Sequence, residues 1–235
     1  MTTLTISDSV LSRFPSFTAA AFACDGLAEA NLDSAIATAD AAATAQLGKI
    51  DPDAVAGHPR IASWRETYRA MGLKPSDQRS SIEQLVRRGL KGSLSLTDVG
   101  AAEAYNRWSV AYMAPMGGYD VDCLPGDSIV IREADPADTF APLGGADRPF
   151  ALENRIVVYA IDDTVLCWAL NHRDAAPTAL TPGTQRAIFI SEATDQDGAK
   201  DSLAALEALA KSLAAAGATV GDVQVASGDR RSIGL

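Results

Sequence analysis

Histidine and cysteine are scarce in this chain, with two histidines and three cysteines among 235 residues. Cys24, Cys123 and Cys167 form no Cys-x-x-Cys pair, and an odd number is a poor disulfide framework, so a reduced, cytoplasmic setting is expected. His58 and His172 are too few for a histidine-rich metal site, and neither a metal nor a cofactor is expected. No apolar run is long enough to span a bilayer, and the polar Thr2 to Ser9 is not followed by a signal-like apolar stretch. A Gly-x-Ser-x-Gly nucleophile elbow is missing, as are the Gly-x-Gly-x-x-Gly and Walker phosphate loops. Basic charge is in deficit too: net charge is −10 and the pI about 4.6. Such a chain is ill suited to non-specific binding along long nucleic acid, so no DNA partner is expected.

One segment runs against that balance. From Arg60 to Lys91 there are eight cations, including Arg79, Arg87 and Arg88, against three acids, Glu66, Asp77 and Glu83. The segment is therefore +5 in a chain of −10. It reads either as a solvated helical surface or as a phosphate contact.

Hydrophobic residues make up 47% of the chain, enough for a sizeable core. Phe17 to Cys24 suits a buried strand, and Leu27 to Leu47 has helical spacing closed by Gly48. Asp51-Pro52 starts a short helical turn. Ile61 to Met71 is helical and ends at Gly72. Ser80-Ser81-Ile82-Glu83 has the form of a capping box, in which Ser80 accepts from the Glu83 amide and Glu83 reaches back. It opens a helix with Ile82, Leu85, Val86 and Leu90 on its apolar face. Thr97 to Ala114 is a further helix. Beyond it the period changes: Ser128 to Ile131, Asn154 to Ile161, Thr164 to Leu170 and Gln185 to Ser191 read as strands, with a hairpin turn at Asp162-Asp163. Asp197 to Ala216 is the last helix, with Leu203, Leu206, Leu209 and Leu213 on one face. Helices first and strands after argue for an α+β fold, a helical N-terminal half packed on a mixed or antiparallel sheet.

The stretch Asn106 to Arg132 joins the two halves. Pro115 is expected to end the helix, and Gly117-Gly118 to form a corner whose backbone amides approach a ligand closely. Asp120 and Asp122 read as turn and cap groups rather than a cation site. In Trp168-Ala-Leu-Asn171-His172-Arg173-Asp174, polar groups gather just past a strand. His172 there is either catalytic or a hydrogen-bonded loop histidine.

Three blocks together resemble a known module. They are Ser80 to Arg88 with Lys91-Gly92, then Asn106, Ser109 and Pro115 to Asp120, then Trp168 to Asp174 with Thr181 and Thr184. The set is similar to the B-three/B-four domain of the phenylalanyl-tRNA synthetase beta subunit, and more so to free-standing proteins built from that domain alone. The likeness runs from about Ile61 to Gly217. It implies residues 1–60 as an N-terminal strand and helix extension and 61–235 as the editing-like domain. In the synthetase this domain hydrolyses the ester of tRNA mischarged with tyrosine. The resemblance implies an aminoacyl-tRNA editing protein, a cytoplasmic hydrolase whose partner is the aminoacylated 3′ end of tRNA. It assigns Asn106, Gly117 and Gly118 to the scissile ester. Pro115, Asn171, His172, Arg173 and Glu192 would bind substrate, and Arg87 and Arg88 the RNA phosphates. Where bacterial synthetases carry an editing histidine this chain has Gly117, which leaves open a non-catalytic module binding an RNA end or an amino acid. A hydrolase acting on a small ester or amide without RNA is a third reading. The length leaves no room for the synthetase's adenylate-forming parts, so ligase activity is not expected.

Overall fold

The structure, a computed structural model, describes residues 1–94, 97–145 and 149–235. Strand β1 (Thr3–Ile6), helix α1 (Asp8–Arg13) and strand β2 (Thr18–Asp25) lead into α2 (Asp33–Leu47), α3 (Pro59–Ala70), α4 (Ser81–Gly89) and α5 (Gly100–Tyr112). Strands β3 (Met116–Asp120), β4 (Ser128–Glu133), β5 (Val157–Ile161), β6 (Thr164–Trp168), β7 (Arg173–Asp174) and β8 (Ala187–Ala193) follow. Helix α6 (Gln196–Ala215) precedes three short strands, β9 (Thr219–Val220), β10 (Gln224–Ala226) and β11 (Ser232–Gly234). The α+β expectation holds, but with two sheets in place of one. The outer sheet has the order β11-β1-β4-β5-β6-β7 and the inner sheet β10-β2-β8-β3, with β9 also on β2. β1 and β4 run parallel; the other named pairs are antiparallel.

Alternation along the central strands makes this a layered molecule. On β2 and β8, Ala20, Phe22, Ala187 and Phe189 face the helices α2, α5 and α6, meeting Leu206, Leu209 and Leu213. Ala19, Ala21, Ile188 and Ile190 face the other way, into a second core shared with Leu4, Ile129, Val158, Tyr68 and Val86. Residues 1–60 are woven into both layers. β1 lies between β11 and β4, and β2 between β10 and β8, in register with β8 from Thr18↔Ala193 to Cys24↔Ala187.

The Pro115 and glycine expectations need correcting. Helix α5 ends at Met113, a left-handed cap at φ 56°, before the proline is reached. Gly117 and Gly118 form no corner. They pair with Ile190 and Phe189 inside β3, and neither has positive φ. The strained turn lies elsewhere, at Ala169 (φ 52°) and Leu170 (φ 63°), both fully buried, between β6 and β7. Two successive non-glycine residues in the left-handed region are unusual, and such strain persists where the surroundings impose it. Here the turn delivers Asn171 and His172 to the gap between the sheets. Asp162 (φ 49°) makes the expected β5–β6 hairpin.

Candidate functional site

Between the two sheets lies a small polar cavity of about 90 Å³. Its walls come from four places: Ser81 at the start of α4, Asn106 on α5, Gly117 and Tyr119 on β3, and Glu192 on β8. Tyr159, Cys167 and the Asn171–Asp174 segment close it from the outer sheet. Glu192 reaches it by strand periodicity, because it continues the face of Ile188 and Ile190. An acid on the core face of a wholly buried strand is rare unless something needs it there.

Hydrogen bonds set the order of the walls. Asn171 Nδ2 donates to Glu192 Oε1 at 2.7 Å. Asn171 Oδ1 accepts from Tyr68 Oη at 3.2 Å and from the Ser81 amide at 3.1 Å. Tyr119 Oη donates to Asp174 Oδ1 at 3.1 Å. The buried Tyr159 hydroxyl is near enough to Glu192 for the two to interact electrostatically, yet no geometry qualifies as a hydrogen bond, and the Ser81 hydroxyl also lacks a partner. His172 Nδ1 faces the Arg79 carbonyl at 2.8 Å. A carbonyl can only accept, so Nδ1 carries the proton and Nε2 is the acceptor of the neutral ring.

Burial dominates the electrostatics. It lifts Glu192 from the ordinary carboxylate value to about 7, with Tyr159 and Asn171 opposing and Asp174 adding repulsion. Asp174 is likewise raised by burial, against the pull of Cys167, Tyr119 and Arg173. His172 is lowered by burial, which keeps the ring neutral. Burial also raises the Tyr119, Tyr159 and Cys167 groups well above their usual values. A carboxyl near 7 in a polar cavity can exchange a proton at neutral pH.

A larger cleft, about 550 Å³, lies outside this cavity. Trp168, Phe150, Arg173, Gln78, Gly144 and Gly145 are among its lining residues, and His172 lines both spaces. Phe150 and Trp168 are in edge contact at 4.8 Å, and Trp168 and His172 at 5.4 Å.

The sequence-derived candidates are therefore partly gathered. Asn106, Gly117, Asn171, His172 and Glu192 line the inner cavity, and Arg173 the outer cleft. Gly118 points away, since a side chain there would meet Leu180 and Phe189 in the helix-side core. Pro115 is buried beside β3, its carbonyl accepting from Ser191 Oγ at 2.7 Å. Arg88 is exposed, while Arg87 is drawn to Glu83. The capping box is half present: Ser80 Oγ accepts from the Glu83 amide at 3.3 Å. The Glu83 carboxylate does not reach back but binds Arg65 at 2.9 Å and Arg87 at 3.0 Å, with Arg79 at 3.6 Å. Asp120 caps the turn Val121–Cys123 and accepts from Thr184 Oγ1 at 2.6 Å, as its turn role requires. Tyr159 escaped the sequence reading, while Tyr119 and Asp174 were named in their segments but given no role in the site. Their signal was faint, a tyrosine on each facing strand and an acid two residues past His172. Among the described residues no group of three potential metal ligands occurs, and no helix is long and apolar enough to cross a membrane.

Comparison with known proteins adds two findings. A family model described as the B3/4 domain matches residues 63–212. Among solved structures, a crystal structure of an N-terminal fragment of the phenylalanyl-tRNA synthetase beta-subunit from Pyrococcus horikoshii superposes with a TM-score of 0.50 at 10% identity. The superposition covers 92% of this chain and 49% of the fragment, so the chain spans about half the fragment's length and the likeness is one of fold. No curated protein sequence matches.

Proposed function

The chain belongs to the B3/4 domain family, and on that premise we propose that it binds the aminoacylated end of a tRNA and hydrolyses the ester of a misacylated one. The observation that carries this reading is the pairing of a tight polar cavity with an aromatic cleft through His172. The cleft falls in the size range of ligand sites, about 300–1,000 Å³, whereas the cavity does not. A terminal nucleotide fits the cleft, stacking on Trp168 or Phe150, with Arg173 for its phosphate. The aminoacyl group then enters the cavity, its carbonyl beside Asn106 and Gly117. Water attacks that carbonyl and Glu192 takes its proton; the acyl–oxygen bond then breaks, Glu192 returns the proton to the ribose oxygen, which leaves as the alcohol, and the amino acid is released as its acid and ionises to the carboxylate. Arg87 and Arg88 lie on the basic segment that would follow the preceding phosphates.

Purified protein is to be challenged with a panel of misacylated tRNAs. Release of an amino acid from at least one is expected, with a rate rising through pH about 7 as Glu192 ionises. Glu192→Gln should lower that rate by about 10²–10⁴-fold. No release from a broad panel beside active controls would sink the hydrolytic reading. The small cavity and the engagement of His172 Nδ1 with Arg79 favour one rival, a non-catalytic module that holds the aminoacylated end. That rival gives saturable binding of aminoacyl-tRNA with no turnover.

A further inference from the structure

We propose that the inner cavity is a subsite for a primary ammonium group, held by Asp174 and completed by the hydroxyls of Tyr159 and Ser81, with Glu192 left free as the base. This deepens the reading above by naming what the cavity holds.

An inventory of donors and acceptors leads there. Glu192 receives a hydrogen bond from Asn171 and Asp174 one from Tyr119, with the Tyr159 hydroxyl close to Glu192 and the Cys167 thiol close to Asp174. Neither has an ion-pair partner among the described residues. Each carboxyl thus retains accepting capacity. Tyr68 Oη is committed to Asn171, Asn171 Nδ2 to Glu192, Tyr119 Oη to Asp174 and His172 Nδ1 to Arg79. The hydroxyls of Tyr159, Ser81 and Tyr105 and the Asn106 amide also line the cavity, uncommitted. Among the lining residues are two carboxyls and no lysine or arginine.

The unpartnered hydroxyl is the independent sign of a ligand. Tyr159 is 2% exposed and lines the cavity, and its hydroxyl, though close to Glu192, has no partner in hydrogen-bonding geometry. A buried hydroxyl left unpaired is costly, so such groups are rare in native proteins. Ser81 Oγ, a buried atom of a half-buried residue, also lacks a partner. Both can accept. A compact group that donates three hydrogen bonds and carries positive charge would satisfy the two hydroxyls and Asp174 together. An ammonium does this; a carboxylate or phosphate would face two acids. The volume, about 90 Å³, suits a small head group and leaves an attached ester carbonyl to lie toward Asn106 and the cleft. In an aminoacyl ester that group is the α-ammonium.

Binding of small probes tests this without RNA. Methylammonium chloride and alanine methyl ester are compared with N-acetylalanine methyl ester and sodium acetate, at equal ionic strength, by thermal shift and by protein NMR. The two amines are expected to bind saturably, and the acetylated ester and acetate not to. Asp174→Asn should weaken amine binding by about tenfold or more, and Tyr159→Phe by about threefold to tenfold, consistent with one lost charged or neutral hydrogen bond. Tyr159→Phe removes only the hydroxyl, which keeps the test open should Asp174→Asn fail to fold. Equal binding of the acetylated and free-amine esters, or Tyr159→Phe indistinguishable from the parent, overturns the proposal. Amine binding without deacylation of any tRNA would end the hydrolytic function and leave the ammonium site standing. Deacylation that ignores N-acetylation would do the reverse.

Discussion

Glu83 and Glu192, two of the buried glutamates among the described residues, are held in opposite ways. Glu83 is 0% exposed and surrounded by three guanidiniums, those of Arg65, Arg79 and Arg87, in the first turn of α4. Glu192 is 2% exposed and has no cation beside it, only the Asn171 amide, with a second carboxyl nearby. Burial disfavours the charged form of an acid. Three guanidiniums meet the Glu83 carboxylate, whereas the Glu192 environment leaves that acid divided between two protonation states near neutral pH. The first arrangement joins α3 to α4 and ties down the basic segment. The second keeps a proton available. Surplus partners mark a structural acid, and missing partners mark a site.

Breaking the first of the two should have the largest effect. Glu83→Ala removes the centre of the network and leaves three arginines repelling one another, two of them half exposed. A loss of about 3–5 kcal/mol in unfolding free energy is expected, the range for breaking a buried pair, read from urea denaturation. Removing the three arginines' shared anchor should also loosen α4 against α3 in hydrogen exchange.

The same operation on the second acid should run the other way. In the folded protein Glu192 holds its proton up to about pH 7, while in the unfolded chain it releases it near the ordinary value of 4.5. Between those values the folded state binds the extra proton, so stability falls as pH rises through the window and is level above it. Glu192→Gln keeps the shape and the bond from Asn171 but removes the titration. It should match the parent near pH 4.5 and exceed it by about 2–3 kcal/mol at pH 8, since each tenfold difference in proton affinity between the two states is worth roughly 1.4 kcal/mol. Parallel stability–pH curves for the two proteins would show that Glu192 is not the buried titrating group.

A second contrast sharpens this one, between neighbouring glycines of β3. A methyl group at Gly118 would lie 2.7 Å from Leu180 Cδ1 and 3.0 Å from Phe189, in the helix-side core. At Gly117 it would lie 3.1 Å from Tyr119 Oη, on the cavity side. Gly118→Ala is expected to destabilise by about 1–3 kcal/mol through overpacking. Gly117→Ala should alter thermal stability by less than about 1 kcal/mol, the lower end of that overpacking range, yet abolish ligand binding in the cavity. Reversed outcomes would mean that the cavity is on the wrong side of β3.

The sequence showed its local features well. The serine cap of α4, the Asp162-Asp163 hairpin and the leucine face of α6 depend on neighbours within a few residues, and each formed. Leu206, Leu209 and Leu213 are buried as their spacing requires, with Leu203 half-buried. What stayed hidden was non-local. Thr3–Ile6 becomes a strand because β4 and β11 flank it, partners more than a hundred residues away. Nor does any residue type announce a left-handed Met113, Ala169 or Leu170, since glycine is the usual occupant of that region. The Gly117-Gly118 pair was misleading for the same reason. Its glycines serve close packing, not unusual angles. The site was legible as far as polar residues clustered along the chain, in Asn171 to Asp174 and in Glu192. Tyr119 and Tyr159 required the two sheets to be stacked before they met that cluster.

The smallest expected effect comes from the basic segment's outermost member. Arg88 is exposed, one residue beyond the arginine that Glu83 holds, and it has little to do with the fold. Arg88→Ala should change unfolding free energy by less than about 0.5 kcal/mol, as surface substitutions do. If the segment follows a tRNA backbone, the same change should weaken binding modestly and lower the slope of log affinity against log salt by about one. Arg87 is the internal control, because its guanidinium is shared with Glu83 and its loss should register in stability as well. A salt slope unmoved by Arg88→Ala, with tRNA still bound, would place the phosphate path on another face and leave the arginines around Glu83 a purely structural feature.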